Sequence, residues 1–159
     1  PFLNLSKPGP LTMYELPHIT VATIVERDGK FLMVRENSGG RLVYNQPAGH
    51  VEPSETLFDA ALRETLEETA WRVELKQLLG IYQYISPENG ITYIRHCFIA
   101  KAIEPRTGRN LDPDILEAKW LTLKELEDFE SELRSPLVLK VIRDYLSGVN
   151  FPLNVVQLP

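Results

Sequence analysis

One segment constrains this chain more than any other. From Gly49 to Trp71 it reads GHVEPSETLFDAALRETLEETAW. After Pro53 it holds no helix breaker, and the Leu, Ala, Arg and Glu that fill it lose little freedom in a helix. The pattern predicts a helix over ETLFDAALRETLEETA, opened by Pro53-Ser54, with Ser54 as N-cap and Glu55 in the electropositive first turn. At about 100° per residue, Phe58, Leu62, Thr65, Leu66 and Thr69 gather as a core-facing stripe. Leu57, Ala60, Ala61, Glu64, Glu67 and Glu68 gather on another side.

That second side starts as leucine and small alanines and ends as carboxylates. Glu64 and Glu68 stand one turn apart with Glu67 beside them, a spacing at which like charges repel. On the wheel no lysine or arginine shares this face, and Arg63 points elsewhere, placed to hold Glu55 or Glu67. A divalent cation turns such repulsion into binding, because Mg²⁺ prefers hard oxygen ligands and keeps positions for water and phosphate oxygens. A solvated acidic helix surface is the plain alternative, and the glutamates alone leave both readings open.

Around this helix the chain reads as strands. HITVATIVER is rich in β-branched residues, Asp28-Gly29 is a two-residue turn signal, and KFLMVRE follows as a second strand. LVYNQPAGHVE is extended with an interruption at Pro47. RVELKQLLGIYQYIS reads as strand with a bulge at Gly80, and ITYIRHCFIAKAI and AKWLTL are further strands. Thr122 and Glu125 form a capping box for a short helix, and Ser135-Pro136 opens a last helix that stops at Gly148. One helix set among strands, with more helix at the end, predicts a mixed α/β domain with helices on the sheet faces.

Composition narrows the function. The 159 residues suit one domain, with 43% hydrophobic residues to fill a core. Residues 1–12 are expected to be a tag or disordered extension, leaving 13–159 as the folded unit. A net charge of -5 without a Lys/Arg-rich run argues against a nucleic-acid polymer as partner. No apolar stretch is long enough to span a membrane. Cys97 is the single cysteine, read as a buried thiol; without a disulfide the chain fits a reducing, cytoplasmic setting, as monomer or homodimer.

The Gly49–Trp71 segment resembles the Nudix box: glycine, five residues, glutamate, seven residues, Arg-Glu, an aliphatic residue, any residue, Glu-Glu, any residue, glycine, aliphatic. Gly49, Glu55, Arg63, Glu64, Glu67 and Glu68 are all in register with it. Thr65 stands where an aliphatic residue is usual, and Ala70 where a helix-ending glycine is usual. The likeness covers most of residues 17–153, through YNQPAGHVEPSETL and LRSPLVLKVIRDYLSGVNFPL, and leans toward a NudJ-type phosphatase branch of the family.

The resemblance implies a Nudix fold, a mixed sheet sandwiched between helices. It implies Mg²⁺ or Mn²⁺ held by Glu64, Glu67, Glu68 and the Gly49 carbonyl, with Glu55 and Arg63 as a structural ion pair. The same glutamates, or a distant acid such as Glu117 or Asp114, would take a proton from the attacking water. Arg35, Arg41, Arg95, His96 and His50 are candidate contacts to a small phosphate substrate. Tyr44, Tyr82, Tyr84 and Tyr93 could stack a heterocycle or simply pack, while His18 reads as structural and Trp71 and Trp120 as core anchors. The implied reaction releases phosphate from nucleoside di- or triphosphates or from a thiamine-precursor pyrophosphate. A pyrophosphohydrolase that cuts between internal phosphates is the alternative. A non-catalytic nucleotide-binding Nudix module is the rival of another class, and it is disfavoured because every box glutamate is present.

Overall fold

The computed structural model describes residues 16–159, so the expectation for residues 1–12 lies outside the described residues. Strand β1 (His18–Arg27) is the spine, with Val21 to Val25 buried. Asp28 and Gly29 both take positive φ, 53° and 76°, which is the twist a two-residue hairpin needs. Arg27 therefore faces Lys30 across the turn into β2 (Lys30–Ser38). β2 pairs with β3 (Arg41–Asn45) on one side and with β7 (Ile115–Thr122) on the other, both antiparallel.

β1 belongs to two sheet halves. Its residues 18–25 run parallel to β6 (Thr92–Pro105), and Thr20 to Ala22 pair antiparallel with β4 (Ala48–His50). Only its end, Glu26 and Arg27, pairs with β2. β5 (Trp71–Ile85) lies antiparallel to β6 at the edge, with register shifts that include one at Gly80. The strand order is β3-β2-β1-β6-β5. A cleft lies at this division, with lining residues from both halves.

Successive side chains of β1 point to opposite faces, and each face has its own helix. Val21, with Phe98 and Leu78, packs against Ala60 and Ala61 of α1 (Leu57–Thr69). Ala22 and Ile24, with Cys97, pack against Val138, Val141 and Ile142 of α3 (Leu137–Leu146). Burying side chains such as Phe98 and Ile142 stabilises by about 2 kcal/mol each. The expected sheet between helices is the observed fold. α2 (Leu123–Asp128) has the expected capping box, with Thr122 and Glu125 satisfying each other's backbone N–H groups. Trp71 and Trp120 meet edge to face at 5.5 Å at the margin of the core, half-buried, with the Arg27 guanidinium over both rings.

α1 departs from expectation in three ways. It starts at Leu57, and Thr56 is its cap, accepting from Asp59 N–H at 3.0 Å. Ser54 cannot cap it, because it takes φ 66° in the preceding turn. The buried side is Ala60, Ala61, Thr65, Glu68 and Thr69, while Leu62 is 36% exposed. Small side chains let the helix sit close on β1, where Thr65 Oγ1 meets Thr23 Oγ1 at 2.8 Å inside the core. Arg63 does not point away from the glutamates, as its contacts show below. The last helix also begins later than read, at Leu137, with Ser135 Oγ accepting from the Leu137 N–H at 3.3 Å.

Candidate active site

The end of α1, β4 and the loop before β7 enclose the acidic part of the cleft. Carboxylate oxygens of Glu64, Glu67 and Asp112 all lie within 4.8 Å of one another. Asp112 reaches this place because its loop is tied to the helix: its N–H donates to the Glu67 carbonyl at 3.1 Å. Glu68 lies deeper, 5% exposed, and its Oε1 accepts from the Ala48 N–H at 2.7 Å. Burial pushes the Glu68 carboxyl up to about 9, with the nearby charges of Glu36, Glu64 and Asp112 adding to the rise. Burial also raises Glu64, against the lowering effect of Arg63.

Gly49 has a steric reason. A Cβ built there would fall on the Glu64 carboxyl group, so only glycine lets β4 and that carboxylate approach so closely. Arg63 organises the cluster from its rim. Its Nε and Nη2 grip both oxygens of Glu55, at 2.6 and 2.9 Å, and Nη2 also donates to the His50 carbonyl at 3.0 Å. This bidentate grip holds Glu55 down at about 2. Nη1 donates to Glu64 at 2.8 Å and to Glu67 at 3.2 Å. The Glu55–Arg63 pair thus forms as expected, whereas the expectation that no basic group accompanies the glutamates is corrected. The Arg63 guanidinium sits at the end of a long side chain and reaches Glu55, Glu64 and Glu67 together, a reach that the wheel, which records only directions from the axis, hides.

The cleft has a volume of about 310 Å³. It brings together Gly49, His50, Glu68, Arg95, Asp112 and Asp114, along with Tyr84 and Tyr93. His50 Nε2 is bonded to His18 Nδ1 at 2.9 Å, so His18 serves to orient it. Arg35 and Arg41 do not line the cleft. Arg35 lies over the Tyr44 ring and 3.7 Å from Glu132, and Arg41 pairs with Glu88 at 3.5 Å. Glu117 does not line the cleft either: it is directly opposed to Arg35 across β2 and β7, and it pairs with Lys119. His96 bonds the Thr20 carbonyl at 3.3 Å. Tyr44 is core, stacked on Phe129, and Tyr82 donates to Asp144. Cys97 is buried, which pushes its thiol up to about 12 and removes it as a nucleophile.

Sequence reasoning missed Asp112, Glu36 and Arg134, which also line the cleft. Asp112 stands two residues before the Asp114 that was singled out, so the acid pair around Pro113 was the available signal. Glu36 and Arg134 carried none.

The family model for the NUDIX domain matches residues 16–141. This chain belongs to the Nudix family. The phosphatase NudJ of Escherichia coli K12 is 39% identical over 140 residues, covering 88% of this chain and 90% of that protein. Phosphatase NudJ of Shigella flexneri matches to the same extent. Among solved structures, a NUDIX hydrolase from Nitrosomonas europaea superposes with a TM-score of 0.88 at 38% identity, covering 91% of this chain and 98% of that one. A MutT NUDIX hydrolase from Burkholderia pseudomallei, at 20% identity and a TM-score of 0.66 over 82% of this chain and 98% of its own, shares the fold. The chain is thus a Nudix hydrolase, an enzyme of acid-anhydride bonds, with a candidate metal-binding cluster of acids of which Asp112 lines the cleft. No helix among the described residues is long and apolar enough to cross a membrane.

Proposed function

We propose that this Nudix hydrolase is a Mg²⁺-dependent phosphatase that releases orthophosphate from small pyrophosphate-bearing substrates. Nucleoside di- and triphosphates and a thiamine-precursor pyrophosphate are the substrates this reading names. The observation that carries it is the convergence of Glu64, Glu67 and Asp112, with Glu68 behind them and Gly49 making room. The similarity to the NudJ phosphatases supports phosphate, rather than pyrophosphate, as the product. The lone buried Cys97 agrees with a cytoplasmic setting.

The donors fit a hard divalent cation: all are oxygens, and several carboxylates meet one guanidinium, leaving negative charge unmatched. Glu64, Glu67 and Asp112 would hold the ion, with Glu68 and the Gly49 carbonyl completing the set. When bound, it neutralises phosphate oxygens and makes the attacking water more acidic. Arg63 keeps the Glu64 and Glu67 carboxylates turned together. Asp114 lies in the cleft but outside the cluster, and it takes the proton of the attacking water at a carboxylate oxygen. His50, oriented by His18, and Arg95 bind the substrate.

The test is a screen of nucleotides and thiamine-related pyrophosphates with Mg²⁺, reading orthophosphate with and without added pyrophosphatase. The reading predicts orthophosphate before pyrophosphatase is added, and a loss of turnover of at least 100-fold, on the order expected for a positioned ionic group, in a folded Glu64→Gln variant. Signal that appears only after pyrophosphatase would make the enzyme a pyrophosphohydrolase instead. Full turnover by Glu64→Gln would remove the cluster from the reaction.

A further inference from the structure

The cleft has basic groups as well as acids in its lining, and its hydrogen bonding is incomplete. Arg95 on β6 lines it, half-buried. Among the described residues, Arg95 has no carboxylate within 4.0 Å and no hydrogen bond from its guanidinium to another side chain, and its Nη1 is inaccessible and unpartnered. Thr20, its register partner on β1, is 6% exposed and its Oγ1 is also unpartnered. Buried polar groups in native proteins are nearly always satisfied, so two orphans on neighbouring strands in one cleft ask for a ligand.

The charge points the same way. Arg134 lines the cleft as well, and its backbone is fixed by an N–H bond to the Tyr44 carbonyl at 2.8 Å. Its side chain reaches Glu88 only at 3.6 Å, and Glu88 is shared with Arg41. Glu36, one carboxylate, feels both guanidinium charges and is held by Asn45 Nδ2 at 3.3 Å. Gln46 Nε2 donates to the Val138 carbonyl at 2.9 Å, which anchors α3 beside the site. Of the unpartnered groups that line the cleft, Arg95 offers a guanidinium N–H and Thr20 a hydroxyl, donors that recognise phosphate oxygens, while Asn45 Oδ1 offers an acceptor.

We propose that Arg95, with Thr20 beside it and Arg134 on the neighbouring wall, forms an anion subsite for a substrate phosphate that the acidic cluster does not hold. This rests on the phosphohydrolase reading of the cleft and gives it a direction: the phosphate chain lies from the acidic cluster to the arginines.

Inorganic phosphate is the probe, titrated into the full chain in EDTA and followed by calorimetry or phosphorus NMR. Wild type should bind it without metal. Arg95→Gln should weaken binding about tenfold, the equivalent of about 1.4 kcal/mol, Arg95→Lys should restore part of it, and Thr20→Val should weaken it about threefold. In turnover, Arg95→Gln should raise KM more than it lowers kcat. Glu64→Gln should bind phosphate in EDTA like wild type while losing turnover, so the subsite and the metal reading fail separately. Should Arg95→Gln not fold, as read by its thermal melt, Arg95→Lys and Thr20→Val decide. No metal-independent phosphate binding by wild type, or equal binding by the folded variants, overturns the proposal. So does an Arg95→Gln change confined to discrimination between bases on identical phosphate chains, which would make Arg95 a reader of the heterocycle.

Discussion

Gly49 shows how a single missing side chain can shape a site. Its Cβ would occupy the space of the Glu64 carboxyl group, which has Arg63 on its other side. Gly49→Ala should therefore leave the fold intact but displace Glu64, with a drop in Mg²⁺-supported turnover of about tenfold or more, measured beside an unchanged circular dichroism spectrum. Ala70 is the converse case. It ends α1 at φ 58°, ψ 20°, donating its N–H to the Leu66 carbonyl, in a conformation that suits glycine. Ala70→Gly should raise stability by about 1 kcal/mol in urea unfolding, since the left-handed strain exceeds the entropy that glycine adds. The register of Gly49, Glu55, Arg63, Glu64, Glu67 and Glu68 was legible in the sequence because helix spacing fixes which side chains are neighbours. Asp112 was not, because only tertiary folding brings that loop onto α1, through a backbone bond that no local pattern announces.

The strands β1, β2, β5 and β6 and the box helix were legible as elements, since β-branched runs, the Asp28-Gly29 turn and the capping box at Thr122 are local signals. The face of α1 was not. Its larger apolar residues suggested one side, but the sheet is approached through Ala60, Ala61 and Thr65, where closeness matters more than hydrophobicity. Thr65 is a departure from the box that the partner strand answers: Thr23 Oγ1 meets its hydroxyl at 2.8 Å, and the Ala61 carbonyl accepts from it at 2.7 Å. Thr65→Val should cost about 1–3 kcal/mol by leaving a buried hydroxyl of Thr23 without its partner. Thr23→Val combined with Thr65→Val should recover most of that loss in chemical denaturation. Additive losses in the double variant would show that the two hydroxyls do not act as a pair.

For the molecule as a whole, two carboxyl groups pull stability in opposite directions with pH. Glu55 is held at about 2 by Arg63, against an ordinary 4.5. Its contribution is present above about pH 4.5 and is lost as pH falls toward 2. Glu68 is raised from 4.5 to about 9, so the native state holds a proton that the unfolded chain has released. Metal-free protein should thus lose stability as pH rises from 4.5 toward 9. Glu68→Gln in EDTA should melt higher than wild type at pH 9 by roughly 3 °C or more, with the gap closing near pH 4. A constant gap across that range would mean that Glu68 does not titrate as its burial implies. The same energetic tension links fold to the proposed function: the folding that forms the cleft brings acids together, and a bound cation would relieve them.

That claim is tested most directly by titrating Mn²⁺, as a spectroscopic stand-in for Mg²⁺, into substrate-free protein and reading free ion by electron paramagnetic resonance. Wild type should bind, and Glu67→Gln and Asp112→Asn should each weaken binding about tenfold or more while melting normally. Equal Mn²⁺ affinity in wild type and both variants would contradict the assignment of Glu64, Glu67 and Asp112 as one metal-holding cluster.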